Sequence, residues 1–202
     1  MELLEAIKSR RSIRRYKPDE VPRDVLEQLL LDAQWAPSNM NKQAWSLVAV
    51  RGEQRDQLVA IIKESVRYIR AKLDEEFKDK PKVVEFTVRF FENVGGAPVI
   101  VLVYIPEPGR PDVSEVKQSA YNFEHLTNVS SASAVVYNLT LLAHARGLAT
   151  CWMAGPTYLA QRINEFLGTS HRELVAAVAL GYPDHTPPVP PRKGHKIEWV
   201  GF

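Results

Sequence analysis

The fold is decided by the stretch APVIVLVYI, residues 97–105. It is a continuous apolar run rich in β-branched side chains, and this length and composition predict a β-strand. Because no polar residue alternates with the apolar ones, we expect the strand to be buried on both faces. The segments on either side are therefore expected to pack around it.

Helix and strand patterns alternate on both sides of this strand. Upstream, they predict a short helix ending near Ser9, a helix between Pro22 and Pro37, a strand over 45–50, a long helix over 53–77 and a charged helical excursion over 78–93. Downstream, they predict a loop over 106–116, a long helix over 119–146 closed by Gly147, strands over 148–153 and 174–180, a helix over 158–167 and a proline-rich arm over 183–193. We interpret residues 1–202 as one α+β layered domain.

Composition excludes several classes of protein. The chain of 202 residues is 45% hydrophobic, which is enough for a sizeable core. Its formal net charge is only +2, so no global field would draw it to nucleic acid or to an anionic membrane. The longest apolar run is too short to span a bilayer, and the first residues do not form a signal peptide. The single cysteine, Cys151, is expected to be a buried small side chain, and we predict a cytoplasmic protein.

The familiar enzyme motifs are missing from the sequence. It contains no G-x-S-x-G, no H-E-x-x-H and no G-x-x-x-x-G-K-[ST]. Gly95–Gly96 precede the central strand, whereas a dinucleotide-binding turn follows its strand. The five histidines have no metal-ligand spacing, so we expect scattered surface or core histidines and no metal site.

Basic residues are concentrated in SRRSIRRYKPDEVP, residues 9–22, which holds four arginines within six positions. Arg10, Arg11 and Arg14 surround Ser12, and guanidinium groups bind phosphate oxygens in a bidentate manner. A phosphate site is one interpretation. Taken alone, the segment fits a solvated basic loop better, because that is the more common role of such runs.

Two further polar segments lie at element boundaries. The stretch APSNMNKQAW, residues 36–45, has more amides than turn chemistry requires, and amides offer the donors and acceptors that the pyrimidine edge of a flavin needs. The stretch GLATCWMAGP, residues 147–156, places Gly155 at a strand end, where backbone could come close to a flat ligand. Each of these signals is weak by itself.

Taken together and in this order, the segments resemble the FMN-dependent nitroreductase family. The resemblance rests on R-R-S-x-R, A-P-S-x-x-N-x-Q-x-W, G-L-x-x-x-W-M-x-G, and G-Y-P followed by a proline-rich stretch, and it covers nearly the whole chain. It implies a nitroreductase-like layered α/β/α sandwich with a mixed central sheet. It also implies an intertwined homodimer with FMN in its interface and a C-terminal arm, about 183–202, that wraps the partner subunit.

The resemblance also implies roles for particular residues. Around the FMN phosphate and ribityl chain it places Arg10, Arg11, Ser12 and Arg14, joined at the phosphate by Arg192 or Lys193 from the arm. From the other subunit it places Pro37, Ser38, Asn39 and Asn41 against the ring and ribityl chain. Beside the flavin N5 it places Ala154 and Gly155. Ala44 and Ala154 depart from the family pattern, since many members have proline at the first position and some have glutamate at the second.

The activity implied by the resemblance is ping-pong transfer of reducing equivalents from NADPH or NADH, through FMN, to nitroaromatics, quinones or similar electron-poor small molecules. No side chain need act as an essential acid or base, because the cofactor performs the hydride chemistry. One alternative is a specialist flavoenzyme of the same fold that fragments flavin, removes halogen or oxidises azolines without NAD(P)H. A remote alternative is a non-enzymatic nucleic-acid-binding module that uses the basic loop.

Overall fold

The computed structural model describes residues 1–107, 114–194 and 196–201. The helices are Leu3–Ser9 (α1), Arg23–Ala33 (α2), Gly52–Lys63 (α3), Val66–Glu76 (α4), Pro81–Asn93 (α5), Glu115–Ala145 (α6) and Ala160–Leu167 (α7). The strands are Ser46–Arg51 (β1), Val99–Pro106 (β2), Ala149–Met153 (β3) and Arg172–Gly181 (β4). Short 3₁₀ segments cover Asn39–Asn41, Val94–Gly96 and Gly155–Leu159. The predicted strands are thus present, as are the predicted helices apart from the one over 53–77, and most of the predicted loop over 106–116 lies outside the described residues.

The four strands form one sheet in the order β1-β2-β4-β3, in which every neighbouring pair is antiparallel. The α+β class is confirmed, but the expected mixed character is not found in these strands. β2 and β3 do run in the same direction, yet β4 lies between them, so they do not pair. Among the described residues, the parallel component is an isolated bridge between Ser12 and Thr150.

Helices cover both faces of the sheet. On the central strand β2, Ile100, Leu102 and Tyr104 point into a core formed with α3, α5 and α7. The alternate side chains of β2 point into a second core with α2 and α6. Successive side chains of a strand face opposite sides, so an uninterrupted apolar run needs apolar partners on both sides. The expected α/β/α layering is confirmed. The sheet is the central layer, and the run over 97–105 supplies one of its two inner strands.

The prediction of a single long helix over 53–77 is wrong. It is two helices, α3 and α4, separated at Glu64–Ser65. The Ser65 side chain is fully buried, and its hydroxyl and its N–H both bond the Ile62 carbonyl, at 2.6 and 2.9 Å. An i→i−3 bond of this kind tightens the last turn and ends the α-helical ladder. The chain can then leave the sheet, and no residue of α4 is buried.

The long helix α6 has two different halves. Its buried residues begin at Asn128 and continue to Ala143, whereas the first half exposes large apolar side chains such as Phe123 and Leu126. Gly147 follows the helix with a φ of 76°, as the predicted left-handed cap requires. Within the described ranges, no helix is long and apolar enough to cross a membrane.

Candidate functional site

The arginine loop, residues 10–15, contacts the outer edge of β3 at Ser12. Ser12 pairs with Thr150 in a parallel bridge, and the Ile13 N–H donates to the Thr150 carbonyl at 3.0 Å. Beyond Ser12 the loop turns towards the start of β3, because Tyr16 pairs with Pro183 after β4 and the Asp184 N–H donates to the Arg15 carbonyl. Ala154 and Gly155 follow the other end of the same strand. The structure therefore brings the first and third predicted segments to one edge of the sheet.

Tyr16 and Gly95 fix this loop to the body of the protein. The buried Tyr16 hydroxyl donates to the Ile13 carbonyl at 2.7 Å, and the Tyr16 N–H donates to the Gly95 carbonyl at 3.0 Å. Burial raises the pKa of the Tyr16 phenol well above its ordinary value, so the group stays a neutral donor. Gly95 has a φ of 65°, and a Cβ built on it would lie 2.4 Å from the Arg14 carbonyl oxygen. The loop and the turn before β2 are thus in direct backbone contact.

A small polar cavity, the loop cavity, lies between the arginine loop, the end of α6, the start of β3 and the start of the C-terminal arm. Its volume is about 80 Å³, and its polar lining residues are Ser9, Arg10, Arg11, His144, Thr150, His185 and Thr186. None of the described residues that line it carries a carboxylate. Because pockets for whole organic ligands are roughly 300–1,000 Å³, this cavity can take one small anionic group and not a complete cofactor.

Two nitrogens of this lining, Arg11 Nε and His185 Nδ1, are buried and have no hydrogen-bond partner among the residues that the structure describes. The Arg11 guanidinium is otherwise held in place, because its Nη1 donates to the Lys8 and Arg10 carbonyls at 2.7 and 2.6 Å. A buried polar group left unpaired costs about 1–3 kcal/mol. A bound anion with several acceptor oxygens would satisfy such groups, so the cavity fits a phosphate group in chemistry and in size.

His144 completes the cavity from the last turn of α6. Its Nε2 lies 2.7 Å from Ser9 Oγ. Burial, followed by the charges of Arg10 and Arg11, lowers the pKa of His144, while Glu5 opposes them. The sequence prediction of scattered histidines does not hold for His144 and His185, which line the same cavity. No spacing signal could have joined them, because they come from different elements.

Arg14 extends from the other end of the loop. Its guanidinium carbon lies 6.0 Å from the centroid of the Phe90 ring, and it also interacts with the Cys151 thiol. Burial raises the pKa of Cys151 more than Arg14 and Arg10 lower it, so the thiol stays neutral, as expected for a buried small side chain. Among the described residues no carboxylate pairs with Arg14. Its positive charge is available to a ligand.

The end of β3 is closed on one side by helices. A Cβ built on Gly155 would lie 2.5 Å from Ile69 Cδ1 and 3.1 Å from the Phe91 ring. Ala154 is exposed, and its carbonyl accepts from the Thr157 N–H and hydroxyl at 2.9 and 2.8 Å. Ile69 and Phe91 belong to the part of the chain that the sequence assigned only to a long helix and an excursion. Their contact with Gly155 depends on the break before α4.

The amide segment, residues 37–43, packs against the middle of α6. The Asn39 N–H donates to Ser131 Oγ at 3.4 Å, and Lys42 pairs with Glu124 at 2.7 Å. Pro37 and Asn41 are exposed, and Ser38 and Asn39 are half-buried. Ser131 and His144 lie about 20 Å apart along the helix axis, at 1.5 Å per residue. In the part of the chain that the structure describes, no hydrogen bond or ion pair joins the amide segment to the arginine loop.

The arm starts against the arginine loop and then leaves it. The Asp184 N–H donates to the Arg15 carbonyl at 3.1 Å, and the side chains of these residues form an ion pair at 2.8 Å. Further along, Arg192 and Lys193 are exposed, and Arg192 donates to the Pro190 carbonyl at 3.2 Å. No hydrogen bond between described residues connects Arg192 or Lys193 to the arginine loop.

Comparison with known proteins gives a consistent result. The model of the nitroreductase family matches residues 7–182. Over 194 residues the sequence is 27% identical to the nitroreductase NfnB of Mycolicibacterium smegmatis, covering 89% of this chain and 82% of that protein. It is 26% identical to mouse iodotyrosine deiodinase 1 over 203 residues, covering 98% of this chain and 68% of that protein.

Solved structures resemble this fold over almost its full length. A BluB-like flavoprotein from Clostridium difficile 630 superposes with a TM-score of 0.75 at 25% identity, covering 96% of this chain and 95% of the other. The FMN-dependent nitroreductase NfnB from Mycobacterium smegmatis, solved in complex with NADPH, gives a TM-score of 0.75 at 21% identity, covering 98% and 97%.

Proposed function

Because the chain belongs to the nitroreductase family, we propose that it is an FMN-dependent oxidoreductase whose cofactor lies between two copies of the chain. The observation that carries the proposal is the pairing of Ser12, in the arginine loop, with Thr150 of β3. It places uncompensated arginines beside the strand that leads to Gly155. An anionic group and a flat ring can therefore be held at one edge of the sheet.

Individual residues take the following roles in this proposal. Arg10 and Arg11 bind the phosphate at the loop cavity, and Ser12 binds the ribityl chain. Arg14 reaches the ring edge, where its charge favours electron density on the ring. Ala154 and Gly155 supply backbone beside N5, and the missing Cβ of Gly155 keeps this backbone close to Ile69 and Phe91.

The remaining polar residues come from a second subunit. Around the amide segment the protomer exposes a group of large apolar side chains, including Trp35 at 88% and Met40 at 84% exposure. The first half of α6 adds Phe123 and Leu126. Apolar surface of this extent is typical of an interface between subunits. In the proposed homodimer, the flavin ring bound by one subunit is approached by four residues of the other, namely Pro37, Ser38, Asn39 and Asn41. The FMN phosphate is also bound by Arg192 or Lys193 of the arm.

When bound, FMN would supply the redox chemistry, by which reducing equivalents from NADPH or NADH would reach a nitroaromatic, a quinone or a similar acceptor in ping-pong order. The protein binds and orients it, and the buried neutral groups Tyr16 and Cys151 lie under the loop without an acid or base role. Solved structures of FMN-dependent nitroreductases with this fold support the cofactor assignment.

The test is the visible spectrum of the purified protein, saturated with FMN, desalted and recorded anaerobically before and after addition of NADPH and then NADH. A retained yellow chromophore that bleaches is the expected result. If no flavin is retained, the proposed function is wrong, and the arginine loop is a basic surface of another kind.

A second candidate is a specialist that keeps FMN and does not use NAD(P)H, such as a dehalogenating enzyme. The similarity to iodotyrosine deiodinase 1 over 98% of the chain favours it specifically. The same spectrum separates the two candidates, because the specialist retains a chromophore that neither nucleotide bleaches and that dithionite does bleach.

Dimer formation is expected to depend on the arm. β1 is an edge strand, and beside it a groove of about 460 Å³ is lined by Leu30, Leu47 and Ala49. Ile197 and Val200 of the arm are exposed, and an unpaired edge of this kind can accept an extended segment from a partner. Deletion of residues 190–202 should shift the mass measured by light scattering from that of a dimer towards that of one truncated chain, which is below the 22.8 kDa of the full chain. A dimer of undiminished stability would show that the arm is not the main contact.

A further inference from the structure

We propose that His144 and His185 are additional phosphate ligands, and that His144 takes up a proton when the anion binds, so that FMN is held more tightly as pH falls. This inference rests on the proposed function, because it concerns the same cofactor. It adds two residues that the sequence pattern does not assign, and it makes retention of the cofactor sensitive to pH.

The geometry of the loop cavity carries the assignment. His144 enters from α6 and His185 from the arm, and both line the same 80 Å³ as Arg10 and Arg11. Ser9 Oγ, 2.7 Å from His144 Nε2, fixes the orientation of the imidazole ring. His185 Nδ1 is buried, and no described residue forms a hydrogen bond with it. A phosphate group offers acceptor oxygens to all four side chains.

The charged groups around His144 account for its protonation. Glu5 faces it from α1, Arg10 and Arg11 from the loop and His185 from the arm, while β3 contributes only uncharged residues to the cavity. Burial and the two arginines lower the pKa of His144, which is therefore neutral near pH 7. A bound dianion offsets the arginine charges and favours the imidazolium form. The negative end of the α6 dipole acts in the same direction.

The linkage then has a definite sign. Between the pKa of His144 in the free protein and its higher pKa in the complex, binding takes up one proton. Affinity for the anion therefore rises as pH falls through that window, by roughly tenfold per pH unit at most for one proton. Riboflavin lacks the phosphate and should bind without this dependence.

The experiment measures dissociation constants of FMN and riboflavin for the full-length protein by flavin fluorescence, from about pH 6 to about pH 8, the range in which histidine titrates. Since a free phosphate monoester also titrates near pH 6, the comparison is between variants and not between pH values alone. His144→Gln keeps a polar side chain and cannot be protonated. His125→Gln, on the same helix and outside the cavity, is the matched control.

We expect the FMN affinity of the wild type and of His125→Gln to rise several-fold more than that of His144→Gln as pH falls. His185→Gln should weaken FMN binding at every pH and leave riboflavin unchanged. Inorganic phosphate should compete with FMN in the wild type, and less so in His144→Gln at low pH.

Two outcomes would overturn the inference. One leaves the proposed function intact, and the other contradicts the proposed function as well. If His144→Gln and the wild type have the same pH slope and His185→Gln binds FMN normally, this inference is wrong and the proposed function stands. If neither flavin binds to the wild type, the proposed function fails and the inference fails with it.

Discussion

Replacement of Gly95 by alanine should destabilise the protein by about 3 kcal/mol or more and abolish flavin retention. The φ of 65° at this position already disfavours any side chain, and the new Cβ would lie 2.4 Å from the carbonyl oxygen of Arg14. This neighbour is backbone and cannot rotate away. Because the Tyr16 N–H donates to the Gly95 carbonyl, a shift of the turn must also displace the arginine loop. Urea unfolding and the flavin spectrum measure the two effects.

Gly52→Ala is the matched control. Its φ is 61°, almost the same as that of Gly95, but a Cβ built there has no atom within 4 Å. It should therefore carry only the cost of the left-handed conformation, about 1 kcal/mol, and keep its flavin. Equal losses of stability in the two variants would show that the contact with Arg14 contributes nothing.

Mixing two flavin-deficient variants should restore flavin binding if the site is shared between subunits. In Arg10→Ala/Arg14→Ala the loss of two charged hydrogen-bonding groups, each worth about 1.5–3 kcal/mol, should weaken FMN binding by at least about 100-fold. In Asn39→Ala/Asn41→Ala the amides are removed, and Ser38 is kept because its Oγ accepts the Gln43 N–H at 3.0 Å. Each variant alone should lose FMN on desalting.

A heterodimer of the two variants contains one site in which both contributions are damaged and one in which both are intact. If equal amounts of the two variants pair at random into two-fold symmetric dimers, about a quarter of all sites are intact and should bind FMN. The two chains can be co-expressed with different tags and the heterodimer isolated, where half of the sites should retain FMN. Recovery no greater than the average of the two variants would mean that each protomer builds its site alone.

Prediction from sequence succeeded where a local pattern carries the information. The apolar run over 97–105 predicted the central strand, and Gly147 predicted the left-handed end of α6, because both depend on a few adjacent residues. The break at Ser65 was missed because it depends on a buried hydroxyl that donates to the Ile62 carbonyl. The periodicity of apolar residues carries no information about this hydrogen bond. The mixed sheet is not found among the four described strands, because the order of strands is set by pairing between distant segments.

The same distinction between local patterns and distant contacts applies to the candidate site. Arg10, Arg11, Ser12, Arg14, Ala154 and Gly155 are predicted by their local motifs. The structure pairs Ser12 with β3, and Ala154 and Gly155 directly follow that strand, while the roles of all six stay predictions. Asn39 and Asn41 lie elsewhere in the protomer, so their role depends on a second chain and stays a prediction. The roles of Arg192 and Lys193 also stay predictions, because both are exposed on the arm.

By itself, the sequence determined the types of the elements, the basic loop and the glycines at its turns, because each follows from the chemistry of neighbouring residues. Only the tertiary structure decided that the loop pairs with β3, that Gly95 touches Arg14, and that His144 and His185 share one cavity. These contacts join residues far apart in the chain. These contacts form only when the two cores pack against the two faces of the sheet, and no local pattern in the sequence specifies that packing.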